Sequence, residues 1–216
     1  MTRYAEVLAA GLAAVLITAC GMTPGPRAAL AKRPPAAAKA SAPLPASAPE
    51  EDADLRFKAA LKLMKERQSD EASAAFLALS RDFPAFSGPL TDLGILQAQG
   101  RQREQALASL SKAASANPRN AVAQNWLGIL YRESGDYVRA EHAYLQALAA
   151  RPDYAPAHFN LAILYDLALR RPQDALVQYR EYQKYAGDGN AMVAVWIKQL
   201  EATTGTNLAS NAGARP

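Results

Sequence analysis

The 216-residue chain contains one cysteine, two histidines and two tryptophans. A lone thiol, Cys20, excludes an internal disulfide and a cysteine-built metal site. His142 and His158 stand outside any ligand-spaced cluster, so no metal is expected. No phosphate-cradling glycine loop or nucleophile elbow occurs. These absences argue against an enzyme, a catalytic residue set, a cofactor or a small-molecule substrate. The formal charge is only +4, with basic residues scattered among acidic ones. That pattern lacks the basic stripe of a nucleic-acid binder. The amino-terminal apolar stretch, Val7 to Ala19, is 13 residues long, short of the roughly 20 needed to cross a bilayer.

Half of the residues are apolar, with only 7% aromatic. That composition suits closely packed helices around a sizeable core. The first segment, "MTRYAEVLAAGLAAVLITACG", has a weakly positive start at Arg3 and an apolar centre, the make-up of a secretory signal. It closes on "ITAC", Ile17 to Cys20. This resembles the lipobox of bacterial lipoproteins. The resemblance implies a signal peptide over 1–19, cleavage between Ala19 and Cys20, and a thioether lipid on the Cys20 sulfur. Two or more acyl chains make such anchoring stable. Gly21 rather than aspartate after the cysteine implies the outer membrane, inner leaflet, with the body facing the periplasm.

Residues 20–52 are rich in proline, alanine and serine without apolar periodicity. Such a stretch cannot bury enough surface to offset chain entropy, so a disordered tether is expected. Its length gives a reach of about 30 Å if flexible and about 100 Å if extended. Residues 203–216 are expected to form a disordered tail.

Between these ends the chain repeats itself. "LGILQAQGRQREQA" begins at Leu93, "LGILYRESGDYVRA" at Leu127 and "LAILYDLALRRPQDA" at Leu161, each 34 residues after the last. Leu127, Gly128, Tyr131, Ala140, Tyr144, Ala147 and Pro152 follow the spacing L-G-x2-Y, A-x3-Y-x2-A, P. This resembles the tetratricopeptide repeat, a helix–turn–helix unit of 34 residues. Four copies fall at 53–86, 87–120, 121–154 and 155–188, with one residue inserted near "LRRPQD" in the last. The family's tryptophan position holds Arg56, Leu90, Gln124 and His158 instead. The eighth position holds Ala60, Gly94, Gly128 and Ala162, small residues for a close helix crossing, matched on the second helices by Ala72, Ala106, Ala140 and Ala175. Pro84, Pro118 and Pro152 should end the second helices. The apolar pattern of "NAMVAVWIKQLEATTG" predicts a capping helix over 189–202. The fold expected is thus an all-α helix-turn-helix solenoid of about four repeats with a C-terminal cap.

The resemblance implies that the first helices line a concave face through positions two, five, nine and twelve. Those positions supply Phe57, Leu61, Met64, Ile95, Asn125, Ile129, Arg132, Phe159, Ile163 and Asp166 as candidate peptide-contacting residues. An apolar strip with a few polar groups suits an extended or helical peptide, although the isoleucines also suit plain packing between first helices. The whole plan resembles tetratricopeptide lipoproteins that assist pilus or secretion-system assembly. It implies a non-enzymatic envelope scaffold with a protein or peptide partner. The alternative is an adaptor that recruits or regulates a peptidoglycan hydrolase or a periplasmic protease.

Overall fold

The computed structural model describes residues 49–187 and 190–212. Cys20, the signal segment and the tether up to residue 48 lie outside the described residues. Eight helices pair as hairpins: α1 (Pro49–Lys65) with α2 (Ser69–Asp82), α3 (Ser87–Gln99) with α4 (Arg103–Ala116), α5 (Ala121–Glu133) with α6 (Tyr137–Ala150), and α7 (Ala155–Ile163) with α8 (Pro172–Ala186). A π-helical turn, Leu164–Ala168, extends α7, and α9 (Ala191–Ala212) packs on α8. No strand occurs among the described residues.

The hairpin turns follow one backbone rule. Arg67, Arg101, Gly135 and Arg170 each adopt positive φ, between 54° and 78°. The residue after each of the first three donates its N–H across the turn: Gln68 to the Leu63 carbonyl at 3.0 Å, Gln102 to Gln97 at 2.8 Å and Asp136 to Tyr131 at 2.9 Å. These six-to-one bonds satisfy carbonyls that the helix end leaves open. In the fourth hairpin the bond runs from Arg171 to Tyr165 at 2.8 Å, one residue longer. The inserted residue of the last repeat is therefore absorbed upstream of "RRPQD", in the π turn. There Leu169 N–H donates to the Leu164 carbonyl five residues back at 3.0 Å.

The second helices α2, α4 and α6 each end two residues before a proline, whereas α8 ends at Ala186 before Gly187. Phe83, Asn117 and Arg151 leave the helical region, with φ of −130°, −141° and −145°. The ring that follows one residue later excludes the helical conformation at Pro84, Pro118 and Pro152's immediate neighbours.

The small eighth residue of each first helix sits at the crossing within its hairpin. A Cβ built on Gly94 would lie 2.6 Å from Leu110 Cγ, and one on Gly128 would lie 2.5 Å from Tyr144 Cε1. The groups met there are large side chains of the second helix, not the alanines Ala106 and Ala140, which are buried one turn earlier. Burial of Phe76, Leu110, Tyr144 and Tyr179 repeats at this place in all four hairpins. Between hairpins the core continues. Leu127, Leu130 and Ala123 cluster with Ala106, Leu110 and Ala113, while Leu161, Leu164 and Tyr165 cluster with Ala140 and Tyr144.

Both ends of the array are closed by substitutions against the repeat pattern. At the third position of the first helices Pro89, Ala123 and Ala157 are buried, but Leu55 of α1 is 63% exposed. At the seventh, Leu93, Leu127 and Leu161 are buried, but Ala59 is exposed. No described helix precedes α1, and its uncovered face carries Lys58 and Lys62 in ion pairs with Asp54 and Glu66. At the other end α9 reads as a fifth first helix counted from Ala191. Val193, Ile197 and Leu200 fall at the third, seventh and tenth positions and are buried against α8 and its neighbours. Its eighth residue is Lys198, exposed. A lysine leaves no room for a second helix to cross there, so the array stops.

Two boundaries differ from the sequence expectation. Residues 49–52, assigned to the tether, form the first turn of α1, because proline is tolerated at the first helical position and Glu51 and Asp52 complement the helix dipole. Residues 203–212, assigned to a disordered tail, continue α9. Thr204 is buried and its hydroxyl donates to the Leu200 carbonyl at 2.6 Å, which holds the helix past Ala202.

Candidate functional site

The first helices of successive hairpins touch, α3 with α5 and α5 with α7. This puts them on the inner side of the array, where their outward rows form one surface. The ten residues singled out from the sequence fall into three groups on it.

Some are absorbed into packing. Phe57 makes an edge contact with Phe86, centroids 5.0 Å apart, and a tilted one with Phe76 at 5.9 Å. Ile95 is buried, and Met64 packs on the first core cluster. Phe159 is set among Tyr182 at 5.0 Å, Trp196 at 6.3 Å and Tyr179 at 6.4 Å. These side chains build the floor of the surface. Leu61, on α1, is exposed.

Others supply polar groups in an apolar setting. Asn125 is buried, and its Oδ1 accepts from Asn160 Nδ2 at 3.0 Å. The amide oxygen and the second N–H of the half-buried Asn160 lie outside that bond. Asn160, one residue after Phe159, carries no pattern signal in the sequence and was missed. A similar link joins the preceding repeats: Asn120 Nδ2 donates to Thr91 Oγ1 at 2.8 Å and to Ser87 Oγ at 3.1 Å. Asp92, beside Thr91, is half-buried without an ion-pair or hydrogen-bond partner among the described residues, and burial pushes its carboxyl up to about 6.

Of the remainder, Arg132, Ile163 and Asp166 line open clefts. Arg132 and Ile163 meet across adjacent repeats and border a cleft of about 210 Å³ with Tyr137, Leu167 and Ala168. Arg132 Nε also donates to the Tyr144 hydroxyl at 3.4 Å. Ile129 is half-buried against the same core cluster as Ile163. Asp166 borders a second cleft, of about 390 Å³, with Arg170, Trp196, Gln199 and Thr203. Trp196 and Gln199 come from α9, so the helix that closes the array also extends the inner surface. Only the recognition that α9 keeps first-helix register could have found them in the sequence.

Neither histidine sits in a reactive arrangement. His158 is buried, with Nδ1 2.8 Å from Gln178 Oε1 and Nε2 2.8 Å from the Pro152 carbonyl. His142 is exposed and lies 3.4 Å from Gln146. Among the described residues no group of His, Cys, Asp and Glu could hold a metal ion. No helix among them is long and apolar enough to cross a membrane.

Residues 91–155, and again 128–191, match the family model described as tetratricopeptide repeat. Over residues 91–191 the chain carries tetratricopeptide repeats. Solved structures of the same fold include PilF of Pseudomonas aeruginosa, with a TM-score of 0.64 and 17% identity over 76% of this chain and 74% of that one. MamA is similar with a TM-score of 0.59 and 20% identity, covering 72% of this chain and 84% of that one. Among curated proteins, the tomato (Solanum lycopersicum) probable UDP-N-acetylglucosamine–peptide N-acetylglucosaminyltransferase SPINDLY is 44% identical over 59 residues. Those residues are 27% of this chain and 6% of that enzyme. The shared part is thus a small piece of the transferase. Tetratricopeptide solenoids of this kind present extended concave surfaces to other proteins.

Proposed function

We propose that this protein is a lipid-anchored, non-enzymatic scaffold of the bacterial cell envelope that holds a segment of a partner protein on its inner face during assembly of a pilus- or secretion-type machine. The observation that carries the binding part is the inner surface itself. Ile129 and Ile163 line it in adjacent repeats, the Asn125–Asn160 amide pair lies one turn away, and the clefts beside Arg132 and Asp166 are open. Apolar floor and free amide groups together suit a peptide, whose backbone needs hydrogen-bond partners wherever its side chains bury. The anchoring part rests on the "ITAC" segment, with Cys20 lipidated and the outer membrane as destination. The tether would let the body reach partners some distance from the bilayer. Similarity to PilF in fold accords with this reading and supplies no partner.

In-cell photo-crosslinking from position 129, with the captured protein identified by mass spectrometry, tests it. Capture of a pilus or secretion component is the expected result. Capture of a cell-wall hydrolase or a periplasmic protease instead would replace assembly with enzyme recruitment. Capture only from a convex-face control position would show that Ile129 serves packing alone.

A further inference from the structure

The sixth residues of the first helices form a row that positions two, five, nine and twelve leave out. They are Lys58, Asp92, Trp126 and Asn160, and Trp196 continues the row on α9. Two contacts show how the row lies. Asn160 donates to Asn125, a fifth residue of the preceding repeat, at 3.0 Å. Trp196 stacks on Phe159, again a fifth residue, with ring centroids 6.3 Å apart. Sixth residues therefore lean onto the fifth residues of the helix before them, along the inner face. The same relation sets Asp92 beside Phe57 of α1. Phe57 does lie over α3 at this level: its Cζ stands 3.2 Å from where a Cβ on Gly88, one turn before Asp92, would be.

From Asp92 to Trp196 every member of the row is half-buried and keeps an unspent polar group. Among the described residues Asp92 has no partner, and the indole N–H groups of Trp126 and Trp196 donate to nothing. Asn160 keeps its amide oxygen and its second N–H. No described side-chain atom is both unpartnered and sealed from solvent, so these groups open onto the surface.

Asp92 stands apart within the row. Carboxylates are rarely buried unless something pairs with them. Asp92 is the one charged residue of α3, and residues 121–131 of α5 carry none. Lys58 is exposed and engaged by Asp54 at 2.6 Å. The other charges of the inner face lie at the far ends of the first helices. Arg132 and Glu133 end α5, and Asp166 shares its cleft with Arg170. No cation does the same for Asp92: burial alone raises its carboxyl, with no charged neighbour acting on it. The surface carries both signs, so this one position, not a surplus of charge, is what selects a ligand. A charge left half-buried and unmatched lowers the stability of the free protein, a trade that functional sites commonly show.

We propose that Asp92 is the specificity position of the inner face, and that the partner segment seats a lysine or arginine side chain on its carboxylate. The inference rests on the inner-face reading of the function and names the chemistry that face accepts. The stem of the basic side chain lies along Phe57, as long cationic side chains cover apolar surface while their heads stay polar. The Trp126 and Asn160 groups take the next residues of the segment. Neighbouring first helices pack about 8–10 Å apart, which an extended chain covers in about three residues. An apolar or aromatic residue about three positions from the base therefore meets Trp126.

Selection of a random dodecapeptide phage library against the full chain, run in parallel on Asp92→Asn, tests this. The substitution keeps the side-chain shape and removes the charge, so circular dichroism and melting should show a fold at least as stable as the parent's. Peptides enriched on the parent should share one lysine or arginine with an apolar residue about three positions away. The preference for the base should vanish on Asp92→Asn. A peptide of the enriched sequence should bind Asp92→Asn at least about tenfold more weakly, in keeping with a charge pair held away from water. Norleucine in place of its base should cost as much on the parent and little more on Asp92→Asn, the mark of a direct coupling. A photo-crosslinker at position 129 reads the inner-face site separately. Peptides that crosslink there but carry no base, or that bind Asp92→Asn as well as the parent, overturn this inference and leave the inner-face reading standing. Enrichment of nothing, or of peptides that neither crosslink at 129 nor depend on Asp92, overturns both.

Discussion

Gly128 packs directly beneath the ring of Tyr144: a Cβ at position 128 would stand 2.5 Å from Cε1 and 2.6 Å from Cδ1. No real Cβ contact is that short, and the ring is fully buried, with nowhere to go. Gly128→Ala therefore sets two effects against each other. Alanine gains about 1 kcal/mol of helix propensity, while overpacking a filled crossing costs typically 1–3 kcal/mol. The clash should win, and the variant should lose about 1–2 kcal/mol in urea unfolding. Repeating the substitution in a Tyr144→Ala background should add little further loss, because the ring is what the new Cβ meets. A loss that persists undiminished in the double variant would mean that the strain lies elsewhere.

This crossing shows how far the sequence could be read. The 34-residue period, the small eighth residues and the closing prolines are local features with direct backbone consequences, so hairpins and their order were legible. The partner across the crossing was not. Alanines at matching spacing invited a small-against-small contact, whereas the structure sets Gly94 and Gly128 against Leu110 and Tyr144. The candidate surface was partly legible. Position counting reached Ile129, Ile163, Arg132 and Asp166, which face open clefts or half-buried rows. It left open whether the isoleucines serve packing, as buried Ile95 does, and gave no warning that Asn125 is buried, because burial depends on how closely neighbouring repeats approach. Asn160 and Trp196 escaped because one is outside the four positions counted and the other sits on a helix read only as a cap.

The π turn offers a sharper test of how the fold absorbs an extra residue. Deleting Leu167 returns Ala162 and Ala175 to the spacing that separates Gly128 from Ala140. The Leu169-to-Leu164 bond should then be replaced by ordinary four-residue bonds, and the Arg171-to-Tyr165 turn bond by the five-residue pattern of the other hairpins. The deletion should therefore fold, with a stability within about 1 kcal/mol of the parent, an ordinary size of change for substitutions away from a packed core. Backbone chemical shifts over 160–172 would report the conversion. Loss of cooperative folding would show that the π turn is required for α8 to seat.

Asp92 makes stability depend on pH in a calculable direction. Its carboxyl is held near 6 by burial, against an ordinary value of 3.8. The folded state thus holds this proton more tightly than the unfolded chain. Stability from this group is fully present below about pH 4 and declines as pH rises through 6. The shift corresponds to about 3 kcal/mol at full weight, reduced to about 1–2 kcal/mol because the group is only half-buried and partly screened. Asp92→Asn should remove this slope and be the more stable protein at pH 7.5, with the difference shrinking at pH 4.5. Parallel unfolding curves for the two proteins at pH 4.5, 6 and 7.5 decide it. Equal slopes would mean that the carboxylate is solvated in solution.

The last helix should control the last repeat more than the rest. Val193, Ile197 and Leu200 cover Tyr179, Leu161 and Ala162, and no further described helix stands behind them. Ile197→Ala removes three methylene-sized groups from a buried site, a change that costs 2–5 kcal/mol in a close-packed core. At the end of a repeat array that loss need not be shared, since each repeat contacts only its neighbours. Hydrogen exchange should therefore accelerate in α9 and α8, and through Leu161 to Tyr165, while α3 and α4 keep the protection of the parent. Ala72 and Phe76, farthest from the cap, would serve as the reference. Uniform acceleration from α1 to α9 would instead make the whole solenoid a single cooperative unit. The cap would then stabilise the binding surface along its full length, not merely at the end where Asp166 and Trp196 meet.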